Sequence, residues 1–156
     1  MKSAGISKPL CSLVLIVTVF AGLSLGAQSA HALCVTPEEE GEWVATTQNS
    51  VLEALNIEFI CQDVIRNGEP YPPGPPFYMH PWGSCYPSAC DWDEHGADRE
   101  NNGYILSVID QGFVTRWVWA RMSAYYDDLL YVWIWSDFDN PKRKDYSNAA
   151  YFERVD

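Results

Sequence analysis

His80 and His95 stand close to Asp91, Asp93, Glu94 and Asp98, and histidines among carboxylates are the raw material of a transition-metal site. The simpler reading is a strand-end His80 and a solvated His95, with the nearby cysteines oxidised and offering no thiolate. Asp91-Trp-Asp93-Glu-His95-Gly96 opens like an acidic calcium loop, with carboxylates at its first and third positions and glycine at its sixth. It then departs from the pattern, because His95 takes the fifth position and Asn102 stands where a bidentate Glu is needed. Ser84, Ser88 and Ser107 have no His and Asp in a recognisable arrangement, and no nucleophile elbow or phosphate-cradling glycine loop occurs. Glu58 and Asp110 are two carboxylates on apolar stretches, the pair a glycosidase would use if they faced one cleft. We assign no catalytic residue, metal ligand or cofactor from the sequence.

The chemistry left is aromatic. Trp117, Trp119, Trp133 and Trp135, with Tyr131, recur at alternate positions of two neighbouring segments. Facing solvent or a cavity, they form a platform or lining on which a sugar or an apolar ligand stacks. Facing inward, they are packing volume. Barrel closure needs volume more certainly than it needs a ligand, so Trp117 and Trp133 are expected in the core.

The elements that must carry these residues are strands. Period-two alternation runs through Trp43 to Thr47, Ala54 to Cys61, Phe77 to Trp82, Tyr104 to Asp110, Phe113 to Met122, Leu129 to Trp135 and Ala149 to Val155. Asn67-Gly68 supplies a tight reversal, and the proline-rich Tyr71 to Pro76 can join no central ladder. Asp91 to Asn102 is polar and aperiodic and reads as a long surface loop. Short connections between seven or eight strands imply an antiparallel meander, whose edges are hidden by pairing the first strand with the last. The expected fold is all-β, a seven- to eight-stranded antiparallel barrel or curled sandwich.

Residues 1–32 read as a signal peptide: Lys2 and Lys8, an uncharged run from Leu10 to Ala27, then Ala30-His31-Ala32 as a small-x-small cleavage site. Residues 33–156 are then a single β-barrel domain, placed in a secreted or periplasmic setting. Cys11 leaves with the leader, and Cys34, Cys61, Cys85 and Cys90 remain, an even number suited to an oxidising compartment. Of the three possible connectivities, Cys85 with Cys90 and Cys34 with Cys61 is the most economical. The first would close a tight loop around Pro87, between Trp82-Gly83 and Asp91-Trp92. Removing Lys2 and Lys8 from 10 Lys+Arg leaves 8 against 21 Asp+Glu, a balance of −13. Such a chain repels phosphate, so nucleic acid and an anionic membrane surface are excluded as partners after signal cleavage.

Gly41-Glu-Trp43, opening the first strand of an up-and-down barrel, resembles the Gly-x-Trp signature of lipocalins and avidin-like barrels. The resemblance implies a Trp that plugs one barrel end against an Arg from late in the chain, here Arg154. Separately, the Trp-Gly-x-Cys-x-Pro-x-x-Cys-Asp-Trp string resembles a motif of small exported bacterial β-domains. These readings point to an exported, non-enzymatic binding protein that recognises a small molecule, glycan or protein through its aromatic face or the 85–102 loop. The alternatives are a secreted enzyme (protease) inhibitor, using the closed loop bearing Tyr86-Pro87 as a pre-organised insertion element, and, further off, a hydrolase.

Overall fold

The computed structural model describes residues 34–155; the signal peptide expected over 1–32 lies outside the described residues. The described chain contains eleven strands and no helix: β1 (Gly41–Ala45), β2 (Leu52–Phe59), β3 (Val64–Arg66), β4 (Glu69–Tyr71), β5 (Phe77–Gly83), β6 (Cys90–Asp91), β7 (His95–Arg99), β8 (Ile105–Asp110), β9 (Val114–Met122), β10 (Leu129–Phe138) and β11 (Tyr146–Arg154). Eight of them, β1, β2, β5 and β7 to β11, pair antiparallel in chain order, and β1 pairs β11 to close the barrel. The remaining edge is removed by β2 on β5, and β3–β4 is a separate hairpin turning on Asn67 and Gly68, both at positive φ.

Alternation decides which side chains fill the barrel. Val114, Arg116, Val118 and Ala120 of β9 and Leu130, Val132, Ile134, Ser136 and Phe138 of β10 are buried inside. Ile57, Phe77, Met79, Ala97, Ile105, Ile109, Ala150 and Phe152 complete the same core. The intervening residues of β9 and β10, Trp117, Trp119, Tyr131, Trp133 and Trp135, therefore point out. This corrects the expectation that Trp117 and Trp133 supply core volume. The interior of an eight-stranded barrel is only wide enough for side chains to fill it. Its middle is lined by valine, isoleucine and alanine, and large indoles enter only near its ends.

At one end Trp43 is buried, its Nε1 donating to the Glu39 carbonyl at 2.9 Å, with the Arg154 guanidinium 4.3 Å from its ring centre. Arg154 also donates to the Glu38 and Glu40 carbonyls. Gly41, at φ +131°, leaves the space through which Arg154 passes; a side chain there would collide with the guanidinium. The pairing anticipated from Gly-x-Trp is thus present. Beneath it, Arg99 donates from both Nη atoms to the buried Glu39 carboxylate at 2.9 and 3.1 Å.

At the other end the indole is Trp92. Asp91 lies opposite Trp82 and His95 opposite Met79, so three residues face two and the chain bulges. Asp91 Oδ1 accepts from the Asp93 backbone N–H at 2.8 Å, and Asp93 takes a positive φ of 62°. The bulge turns Trp92 inward over Gly83, whose missing side chain is the room the indole occupies. The long surface loop expected over Asp91 to Asn102 is in fact β6, this bulge and the barrel strand β7. Only Ala97 of β7 is buried, so one apolar residue among polar ones left no period-two signal.

Two disulfides staple the barrel. Cys34–Cys61 ties the segment that carries Glu39 to the end of β2, and Cys85–Cys90 closes the β5–β6 turn. Both match the most economical pairing, and they suit an oxidising environment.

Candidate functional site

The outward faces of β8 to β11 bring the predicted aromatic residues together. Register places Trp119 beside Trp133 and Trp117 beside Trp135. Leu106 and Val108 extend these two rows onto β8, and Ala149 and Ser147 extend them onto β11. Trp119 and Trp133 stack with ring centres 4.4 Å apart and planes 25° apart. Trp133 is 37% exposed, and Val108 beside Trp117 is 49% exposed. The small Ala149 and Ser147 leave the edge of the indoles uncovered on the β11 side.

A third row continues the surface with tyrosines. Tyr131 lies opposite Tyr151 on β11 and Arg121 on β9. Arg121 sits 4.4 Å over the Tyr104 ring, and Tyr126, from the β9–β10 turn, meets Tyr151 edge-on at 5.0 Å. Burial first, and then the neighbouring Tyr104 and Tyr151, push the Tyr131 hydroxyl above its usual pKa against the pull of Arg121. The phenol stays neutral and able both to donate and to accept a hydrogen bond. Exposed Asp110 and Asp137 edge the opposite side of the patch. The result is a curved aromatic wall with hydroxyls and carboxylates at its margins.

Sequence reasoning identified Trp117, Trp119, Trp133, Trp135 and Tyr131 but missed Tyr104, Leu106, Val108 and Tyr151. Register would have found three, since Leu106, Val108 and Tyr151 lie opposite Trp119, Trp117 and Tyr131, whereas Tyr104 joins only through Arg121 over its ring. The other candidates disperse. Glu58 and Asp110 are both exposed on the outside of the barrel, three strands or roughly 14 Å of wall apart, whereas a glycosidase pair spans about 5 to 10 Å across one cleft. Ser107 is buried and donates to the Gly96 carbonyl, while Ser84 and Ser88 are exposed in the β5–β6 turn.

His80 Nε2 meets Asp91 Oδ1 at 2.5 Å, and its ring stacks on Trp82 at 4.1 Å. The hydrogen bond from His80, with that from the Asp93 N–H, holds the Asp91 carboxyl below its usual pKa. His95 Nε2 is bonded to the Trp92 carbonyl at 2.8 Å, so the two histidines serve separate local contacts. Among the described residues, the one triad with metal-ligand proximity is Cys34, Cys61 and Asp63, and its two sulfurs are joined to each other. In the Cys85–Cys90 turn, Tyr86 is 97% exposed.

Comparison with protein-family models, with curated proteins and with solved structures found no match.

Proposed function

We propose that the chain is an exported, non-enzymatic binding protein that recognises a neutral carbohydrate on the outer aromatic face of β8 to β11. The observation that carries this reading is the outward turn of four tryptophans on adjacent strands, with Trp119 and Trp133 stacked and Trp133 partly open to solvent. Indole faces offer their π surface to the C–H face of a sugar ring, and Tyr131, Tyr151, Asp110 and Asp137 offer hydrogen bonds to its hydroxyls. The acidic chain favours neutral over polyanionic glycans. The interior is occupied by side chains, which moves recognition from the barrel's inside, where a lipocalin-like protein would hold its ligand, to its wall. The two disulfides and the leader-like residues 1–32 support a secreted or periplasmic location.

Screening the disulfide-intact protein against neutral oligosaccharides, with tryptophan fluorescence as readout, tests the proposal. Binding should weaken about five- to thirtyfold in Trp133→Ala, the loss of one stacking contact of about 1 to 2 kcal/mol. Glycan binding that survives Trp133→Ala and Trp119→Ala unchanged refutes it.

A second reading has its own observation. Tyr86, almost wholly exposed on a disulfide-closed turn, has the form of an insertion element for an enzyme cleft, and it supports a secreted protease inhibitor. Inhibition of a protease by the wild type that is lost in Tyr86→Ala would favour it.

A further inference from the structure

The mouth of the barrel at the Trp92 end holds a cavity of about 730 Å³, lined by residues from the five connections at that end and by strand residues that include Arg116. Arg116 points into the barrel from β9, yet it is only 7% exposed and forms no ion pair among the described residues. Its guanidinium lies 4.2 Å from the Trp92 ring centre. Nη1 donates to Gln111 Oε1, and Nε is buried with nothing to bond. Opposite it in register, Ser136 is fully buried and its hydroxyl is equally unpartnered. Holding a buried cation with no carboxylate partner is costly, and part of the cost is recovered when an anion arrives. Arg143, from the β10–β11 turn, adds a second positive charge to the lining.

The mouth also carries Asp91, Asp93 and Asp110, all exposed on its rim. Asp91 is engaged by His80 and the Asp93 N–H, and Asp110 accepts from the Gly112 N–H at 2.8 Å. Their charges act through water, whereas Arg116 acts through a low-dielectric floor, so the floor dominates at short range. The rim carboxylates disfavour multiply charged anions. Trp92, Phe113 and Tyr146 give the cavity an aromatic lining. Burial draws the Arg116 pKa below the usual arginine range, as Arg143 does to a lesser extent, with Tyr146 acting against both; a carboxylate would reverse that penalty.

We infer that this mouth is a second site, sharing only Asp110 with the outer aromatic face, and that it takes a small aromatic monocarboxylate whose carboxylate pairs with Arg116 and whose ring packs against Trp92, Phe113 and Tyr146. The probe is 4-fluorobenzoate, followed by ¹⁹F NMR on the disulfide-intact protein, with 4-fluorobenzamide as its uncharged counterpart. The benzoate should saturate and shift the indole N–H resonance of Trp92, assigned through Trp92→Phe, while leaving that of Trp133 in place. Arg116→Met should bind at least about tenfold more weakly, as expected for the loss of a charge-assisted pair. Should Arg116→Met fail to fold, the comparison of benzoate with benzamide on the wild type decides alone. Equal binding of the amide, absence of saturation, undiminished binding by folded Arg116→Met, or displacement of the benzoate by inorganic phosphate at lower concentration would each overturn the assignment.

Discussion

Glu39 shows how one residue ties the barrel's end together. Burial by itself would raise its pKa, but the hydrogen bonds and charge of Arg99, together with backbone hydrogen bonds at Glu39 and Met122, outweigh burial and hold the carboxyl below its ordinary value. A carboxyl whose folded pKa lies below the unfolded value of about 4.3 stabilises fully above that value, and the contribution is lost as pH falls through the folded pKa. The urea midpoint of the wild type should therefore hold level from neutral pH to about 5 and decline in stronger acid. Glu39→Gln should be less stable at neutral pH by about 1.5 to 3 kcal/mol and should show a shallower acid decline. An identical pH profile for the two proteins would remove the Glu39–Arg99 pair from the account. Gly83 offers a second test, of shape rather than charge. The Trp92 indole occupies the place of its side chain, so Gly83→Ala should cost about 1 to 3 kcal/mol or more in denaturant unfolding, although the added group is a single methyl. Wild-type stability in Gly83→Ala would show that Trp92 can leave the barrel mouth at little cost.

Among the elements, β9 and β10 separate the two kinds of apolar residue most sharply. Ile134 and Trp133 are neighbours on β10, one 2% and the other 37% exposed. Ile134→Ala should destabilise by about 2 to 4 kcal/mol through the cavity it leaves. Trp133→Ala removes a larger side chain yet should cost only about 0.5 to 1.5 kcal/mol, the worth of its stacking on Trp119. Equilibrium unfolding of both variants checks the order, and a larger loss for Trp133→Ala would return the indoles to the core. Strand positions, the meander and its closure were legible in the sequence because alternation is periodic. The direction each face points was not, since both faces of these strands are apolar and the demand for core volume put the large indoles inside. Volume misled because the interior of an eight-stranded barrel is just wide enough for aliphatic side chains, so the indoles on these two strands turn outward. The strand β7 was hidden for the opposite reason: one inward Ala97 is too weak a pattern to distinguish a short barrel strand from a loop.

At the scale of the molecule, the barrel is closed at both ends by the same device, an indole covered by a guanidinium, Trp43 with Arg154 and Trp92 with Arg116. The two ends differ in what holds the guanidinium. Arg154 is anchored by the Glu38 and Glu40 carbonyls of the segment leading into β1, whereas Arg116 is met by the Gln111 and Tyr146 side chains, faces no carboxylate partner and keeps a buried Nε unpartnered. The disulfides follow the same division. Cys34–Cys61 spans 27 residues and fixes the segment that supplies Glu38, Glu39 and Glu40, so its loss frees the Trp43 end as well as a long unfolded-state loop. Cys85–Cys90 spans 5 residues and shapes only the turn beside the mouth. Loop-closure entropy then gives about 3.5 kcal/mol for the long bridge and about 2 kcal/mol for the short one. Cys34→Ser/Cys61→Ser should accordingly lower the urea midpoint more than Cys85→Ser/Cys90→Ser, and it alone should also flatten the acid decline that depends on Glu39 meeting Arg99. If the short bridge proves the more costly to lose, the mouth rather than the Trp43 end is where this barrel is held closed.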